Sequence, residues 1–325
     1  MPELPEVETI KRDLQELIAG NTIKTVTINL AKQVKAPRAK FLELVQGQKI
    51  KAVRRRAKMI IFDLQNGWYL LFHLKMTGQL IYRGYPSVSR QARATSPWQG
   101  EDKMILAGGG HPIKYGNAKD KKSGVNMGSL GSARDKLLIN LPNKYSHVVF
   151  NFQDGSHLFF NDLRQFGWVK LLDGRELEKL DKEFGIEPLE KEFTFKKFKE
   201  LLVKKQNKVI KPLLMEQDVI AGVGNIYAQE ACFCAGVMPS RRVKDLSEQE
   251  LNKLYVCLVK ILKLAVAKKG TSSDNYVDAF GRQGNMVKYL KVYDRKGEKC
   301  RRCGVEIKVM KQGSRTTAYC PGCQR

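Results

Sequence analysis

Met1-Pro2-Glu3-Leu4-Pro5-Glu6-Val7-Glu8 opens the chain. A proline directly after the initiator methionine becomes the mature N-terminus if Met1 is trimmed, the usual fate of a Met that precedes a small residue. Its nitrogen is then a free secondary amine. Because α-amines titrate near ~7.7–8.0, a useful fraction is unprotonated at cell pH. Such an amine can attack a carbonyl-like carbon and form a Schiff base. Glu3 and Glu6 lie beside it in sequence, and carboxylates next to an amine nucleophile can move protons. A plainer account fits the same residues: Pro near the first helical position and Glu in the first turn mark any helix start. The rest of the chain decides between the two.

Downstream of this segment, Val7, Ile10, Leu14, Leu17 and Ile18 recur at helical spacing, so residues 5–19 read as a helix with Gly20 as its C-cap. A β-rich stretch follows, with strands expected at 22–28, 49–55, 59–64, 68–74, 147–152, 158–161 and 167–172, and a short helix at 37–46. Asn66-Gly67 and Asp154-Gly155 are turn signals within it. Residues 84–142 carry nine Gly and few strand signals, and read as an irregular surface insertion dispensable for chemistry. From about 175 the pattern turns helical, at 195–204, 208–216, 224–234 and 246–268. The expected fold class is α+β, divided into a β-rich domain at 1–173, a helical domain at 174–285 and a metal module at 286–325.

The chain has 325 residues and a net charge of +25, from 58 Lys and Arg against 33 Asp and Glu. A field of that size implies a polyanionic partner, with nucleic acid ahead of an anionic membrane. The charge is spread along the chain, which favours a folded basic face over a disordered arm. No apolar run is long enough to span a bilayer and no signal-peptide core is present, so the expected location is cytoplasmic. Cys232, Cys234 and Cys257 lie in apolar helical stretches and read as reduced core residues. The other four form Cys300-x2-Cys303 and Cys320-x2-Cys323, the spacing of a four-thiolate zinc ribbon. Such a site is closed, so its single Zn2+ is expected to be structural. Residues 286–325 carry eleven Lys and Arg against three Asp and Glu. That surplus suits a phosphate backbone, with Arg315 at the tip of the intervening hairpin. Gly222-Val223-Gly224-Asn225 lies between two helical patterns, where a helix N-terminus offers free N–H groups to a phosphate. Asn225 as an ordinary N-cap explains the same residues.

Taken together, Pro2–Glu8, Arg55-Arg56-Ala57-Lys58, His73-Leu74-Lys75-Met76-Thr77-Gly78, Asp162-Leu163-Arg164-Gln165-Phe166-Gly167, Gly222-Val223-Gly224-Asn225 and the four-Cys ribbon resemble the formamidopyrimidine-DNA glycosylase / endonuclease VIII family, in the family's order. The resemblance spans nearly the whole chain except 84–142. It implies a β-sandwich joined to a helix-two-turn-helix domain with a β-hairpin zinc finger, and DNA in the cleft between them. It implies a bifunctional glycosylase and abasic-site lyase of base excision repair in which Pro2 attacks C1′ of a flipped-out nucleotide and Glu3 assists ring opening. Glu6 supports the site, and Lys58 contacts phosphates around the lesion. Met76, Arg164 and Phe166 fill the void left in the duplex. Asn225 and Arg315 hold the flanking phosphates, and His73 and Arg282 join the DNA-contacting residues. Periodicity alone would instead bury Met76 and Phe166 on strands.

The same resemblance implies a lesion-recognition loop at 278–285, kept at full length, and with it oxidised purines, 8-oxoguanine and formamidopyrimidines, as the substrates. Oxidised pyrimidines, as in the endonuclease VIII branch, are the alternative, and a non-catalytic damage-binding protein is a second. The expected partner is duplex DNA with oxidised bases or abasic sites. No small-molecule cofactor and no membrane are expected, and the chain is taken as a monomer. The sequence departs from the family pattern at four places. Lys75 stands for Gly, Gln165 for a basic residue, Phe280 for a small acidic or polar residue and Gln283 for Pro.

Overall fold

The computed structural model describes residues 1–84, 141–272 and 275–325, so the 84–142 insertion lies outside it apart from its ends. Two sheets face each other in the N-terminal half. One is four-stranded, in the order β1 (Ile23–Ile28), β7 (Ser146–Phe152), β8 (His157–Asp162), β6 (Gly78–Arg83). The other is five-stranded, in the order β2 (Val34–Lys35), β9 (Trp168–Leu172), β5 (Tyr69–His73), β4 (Met59–Leu64), β3 (Ile50–Arg56). Their strands are antiparallel except for β2, which pairs parallel with β9.

Strand periodicity explains why β4 reads as a continuous apolar run. Ile60, Phe62 and Leu64 point into the sandwich, while Met59 and Ile61 point outward. The outward face is closed by helix α3 (Gly174–Lys182), whose Leu177 and Leu180 pack there with Phe184. Between the sheets Phe72 meets Phe62, Phe150 and Phe160 at ring distances of 4.7, 5.9 and 6.0 Å. Truncating a fully buried Phe of this kind costs about 3–5 kcal/mol. Helix α1 (Leu4–Ile18) lays Val7, Ile10, Leu14, Leu17 and Ile18 into the same core. Helix α2 (Arg38–Val45) adds Phe41 and Val45.

A second core joins helices α4 (Phe195–Val203), α5 (Ile210–Leu214), α6 (Asn225–Ala235) and α7 (Glu248–Ala267). Helix α7 starts at a capping box, Ser247 Oγ accepting from Glu250 N–H at 3.2 Å and Glu250 Oε2 accepting from Ser247 N–H at 2.8 Å. Here the sequence expectation for the cysteines needs correction. Cys234 and Cys257 form a disulfide between α6 and α7. They lie 23 residues apart in sequence, but helix packing brings their Cα atoms to 5.8 Å, within bridging range. Cys232 is free, and burial pushes its thiol up to about 12, which leaves it unreactive.

The C-terminal module is a hairpin of β10 (Lys308–Gln312) and β11 (Arg315–Tyr319). Helix α6 carries it. Gln229 Oε1 accepts from Ala318 N–H at 2.7 Å, and the buried Glu230 carboxylate accepts the backbone N–H groups of Lys291, Val292 and Tyr293. The sulfurs of Cys300, Cys303, Cys320 and Cys323 all lie within 4.8 Å of one another. A tetrahedral zinc thiolate with bonds of about 2.3 Å needs sulfur separations of about 3.8 Å, so the four residues fit one structural zinc ion. Among the described residues, no helix is long and apolar enough to cross a membrane.

Candidate active site

Helix α1 belongs to the sandwich, but the residues before it dock on the helical body. Leu4 N–H donates to Gly222 O at 3.0 Å. Positions 222 and 224 must be glycine for this approach. A Cβ on Gly222 would lie 2.7 Å from Leu4 Cβ, and one on Gly224 would lie 2.4 Å from Glu3 Cδ. Glu3 thereby reaches the first turn of α6, where its Oε1 accepts from Ile226 N–H at 2.9 Å and its Oε2 from Tyr227 N–H at 3.4 Å. A carboxylate at a helix N-terminus meets unpaired N–H groups and the positive end of the dipole.

Glu6 lies behind Glu3 and is buried. Its Oε2 accepts from Glu3 N–H at 2.8 Å, and its Oε1 from Thr271 N–H at 2.7 Å and from the Tyr227 hydroxyl. Burial first, then the charge of Glu3, pushes its carboxyl up to about 7. The hydrogen bonds work the other way and do not overcome the burial.

Glu3, Glu6 and Thr271 line a cleft of about 480 Å³ between the two bodies, with Pro2, Lys58, His73, Met76, Asn225 and Arg315 also on its walls. Lys58 follows the β3–β4 turn at Ala57 (φ 51) and is buried. Burial lowers its amine, Glu3 pulls it back up, and Arg315 lowers it further. His73 is pushed down to about 4, by burial and then by the charges of Lys75 and Lys58, so it is neutral near pH 7. Lys75 N–H donates to His73 Nδ1 at 3.0 Å, which leaves the ring proton on Nε2.

Met76 and Phe166 are 44% and 54% exposed, so the expectation from periodicity that they are core residues does not hold. Both lie in loops, β5–β6 and β8–β9. Between them the Arg164 guanidinium donates to Met76 Sδ at 3.1 Å and lies 4.9 Å from the centre of the Phe166 ring. Arg282 is not brought to the cleft wall. It pairs with Asp278 at 2.8 Å and stacks at 4.3 Å on Phe280. Its loop reaches the cleft through Asn275 and Tyr276 instead, and Ala279 ties the loop to the sandwich by accepting from Tyr82 N–H at 2.9 Å.

Three residues of the site were not legible as such. Lys211 is buried, and its amine donates to Asn225 Oδ1 and, at 2.9 Å, to Thr317 Oγ1, joining α6 to the zinc hairpin. Burial lowers it to about 8. A lone charge inside the apolar Ile210–Leu214 stretch was its one signal. Nothing in the sequence marks Tyr227 and Thr271 as partners of Glu6, and only their contact with it reveals that role.

The site has Pro2, the imino acid that follows Met1, beside two buried carboxylates, a buried lysine and a basic rim. Residues 1–169 match the formamidopyrimidine-DNA glycosylase N-terminal domain, 184–276 its H2TH domain, and 297–325 the zinc finger found in FPG and IleRS. A formamidopyrimidine-DNA glycosylase of Pelotomaculum thermopropionicum is 34% identical over 328 residues, covering 100% of this chain and 99% of that one. Among solved structures, the Lactococcus lactis Fpg in complex with abasic-site DNA has a TM-score of 0.76 and 29% identity, covering 99% of each chain. A MutM bound to DNA containing carbocyclic 8-oxo-G has a TM-score of 0.76 and 29% identity, covering 100% of each. The chain belongs to the formamidopyrimidine-DNA glycosylase family.

Proposed function

We propose that this chain excises oxidised purines from duplex DNA and then cleaves the strand, with the Pro2 amine as nucleophile once Met1 is removed. The base must leave the stack before the sugar is accessible. Pro2 N then attacks C1′ and the base leaves with the electron pair of the glycosidic bond, taking up a proton from water. The proton on the Pro2 nitrogen passes to the Glu3 carboxylate, which hands it to the ring oxygen, so that the C1′–O bond opens and the sugar is held as an iminium. Loss of a C2′ proton expels the 3′ phosphate, and a second elimination expels the 5′ phosphate. One amine therefore serves both steps.

The seating of Glu3 on the α6 N-terminus, beside Pro2 and across from Lys58, carries this reading. Two backbone N–H groups fix the acid in place before substrate arrives, which is how preorganised catalysis works. Glu6, neutral up to about pH 7, keeps a second negative charge away from Glu3. Lys58, Asn225 and Arg315 present donors to the phosphates around the flipped nucleotide, and the buried Lys211 holds Asn225 against the zinc hairpin. Met76, Arg164 and Phe166 enter the duplex, since an apolar wedge and a guanidinium together can fill the hole and bond the orphaned base. The solved relative bound to 8-oxo-G DNA supports the purine-lesion preference. A cytoplasmic, nucleoid-associated monomer is the form in which this would act.

Borohydride trapping tests the reading. Protein lacking Met1 should form a covalent adduct with a duplex containing 8-oxoguanine opposite cytosine, and Pro2→Gly should form none. An adduct with dihydrouracil DNA alone would shift the assignment to oxidised pyrimidines, and no adduct with either would leave a damage-binding protein.

A further inference from the structure

Asp162 ends β8 at the base of the exposed Met76, Arg164 and Phe166 cluster, and its side chain is fully buried. Its Oδ1 accepts from the Thr77 hydroxyl and from Arg164 N–H at 3.2 Å. Its Oδ2 accepts from Gly167 N–H at 2.6 Å and from Gln33 Nε2 at 3.3 Å. Thr77 Oγ1 in turn accepts from Arg164 N–H at 2.9 Å. One carboxylate thus bonds both loops: Thr77 on β5–β6, and Arg164 and Gly167 on β8–β9. Each loop also holds a non-glycine residue in the left-handed region, Lys75 at φ 52 just before Met76 and Gln165 at φ 58 between Arg164 and Phe166. Such conformations persist only where the surroundings over-determine them. Asp162 stands on the end of β8, outside both loops, and its hydrogen bonds reach each of them at these points.

We propose that Asp162, acting with Thr77, is the positioning residue that locks the two loops into one wedge before DNA is bound, so that Met76, Arg164 and Phe166 enter the duplex as a unit. Asp162 touches no DNA itself, and its effect reaches the reaction through the three side chains it aligns. The inference rests on the glycosylase reading above. It separates two steps that the enzyme otherwise performs together. Excising a base from a duplex needs the wedge, whereas cleaving a pre-formed abasic site in a single strand needs only the amine and its acid.

The test uses the full chain with zinc bound. Asp162→Asn keeps the shape but turns an N–H2 toward one pair of donors, and Thr77→Val removes the link between loops while leaving Asp162 in place. Both are checked for wild-type zinc content and melting, so that Thr77→Val remains informative if Asp162→Asn folds poorly. Excision of 8-oxoguanine from a duplex should fall by about 100-fold, the scale of an ångström-level misplacement. The fluorescence rise of a 2-aminopurine placed next to the lesion should fall with it. Cleavage of a single-stranded abasic oligonucleotide should change by less than about threefold, and Thr77→Ser should restore duplex excision. A parallel loss in both assays, or no loss in either, would overturn the proposal. No turnover by the wild-type chain would overturn the enzyme reading and this inference with it.

Discussion

Glu3 and Glu6 are buried and bonded to the first turn of α6, to Tyr227 and to Thr271, whereas Met76 and Phe166 stand about half exposed at the other edge of the same cleft. The first region satisfies its polar groups before any ligand arrives. The second leaves apolar side chains in water and holds its backbone in two left-handed turns. On the glycosylase function proposed above, the difference follows from what each must meet. Proton transfer needs fixed donors and acceptors in a dry site. Entry into a base stack needs apolar surface that gains only when DNA covers it. The carboxylate seat thus has its partners without substrate, whereas the apolar side chains of the wedge lack a covering surface in the free protein.

Pro2→Gly strikes the seat hardest. Removing the imino acid should cost at least about 1,000-fold in trapping and strand cleavage, read by gel, with DNA binding little changed. If binding fell as far as trapping, the seat would be a DNA contact and not a reaction centre. Met76→Ala with Phe166→Ala breaks the wedge instead. Duplex excision should drop about 10- to 100-fold, with single-stranded abasic cleavage nearly intact. An equal drop in both would erase the division between the two regions.

Glu6 sharpens the comparison through pH. Its folded pKa, about 7, lies above the ordinary 4.5. The neutral form is therefore the one the fold prefers. Its contribution, on the order of 3 kcal/mol, is fully present below pH about 4.5 and is lost as pH rises through 7. Glu6→Gln cannot ionise, so its melting temperature relative to wild type should rise steadily from pH 5 to pH 8, on top of any constant offset. A pH-independent difference would show that Glu6 is already charged in the fold. The smallest effect belongs to Lys75→Gly. Relief of left-handed strain, about 1–2 kcal/mol, outweighs the extra freedom of glycine in the unfolded chain, about 0.5–1 kcal/mol. Denaturant melts should show a net gain of roughly 0.5–1 kcal/mol.

Much of the framework was readable because its signals are local. Helical spacing located α1 within a residue or two, alternation found most strands, and the Cys spacing placed the metal module. Strand β6 was missed, since its pattern runs into the insertion. The parallel pairing of β2 with β9 was also unreadable, because it joins residues far apart in the chain. For the candidate site, motifs marked Pro2, Glu3, Lys58, Asn225 and Arg315 as notable, and the fold brings them to one cleft. Arg282 was equally marked by sequence, yet its neighbour Asp278 turns it away.

Charge, element order, the zinc-ribbon spacing and the imino acid at position 2 follow from the order of residues alone, since all are properties of single residues or short spacings. Which groups face one another was settled by packing. It joined Cys234 to Cys257, seated Glu3 on a helix more than two hundred residues away, raised Glu6 by burying it, and hung two loops on Asp162. Those outcomes depend on through-space distance and on the loss of water around a group, and neither is written in the order of residues along the chain.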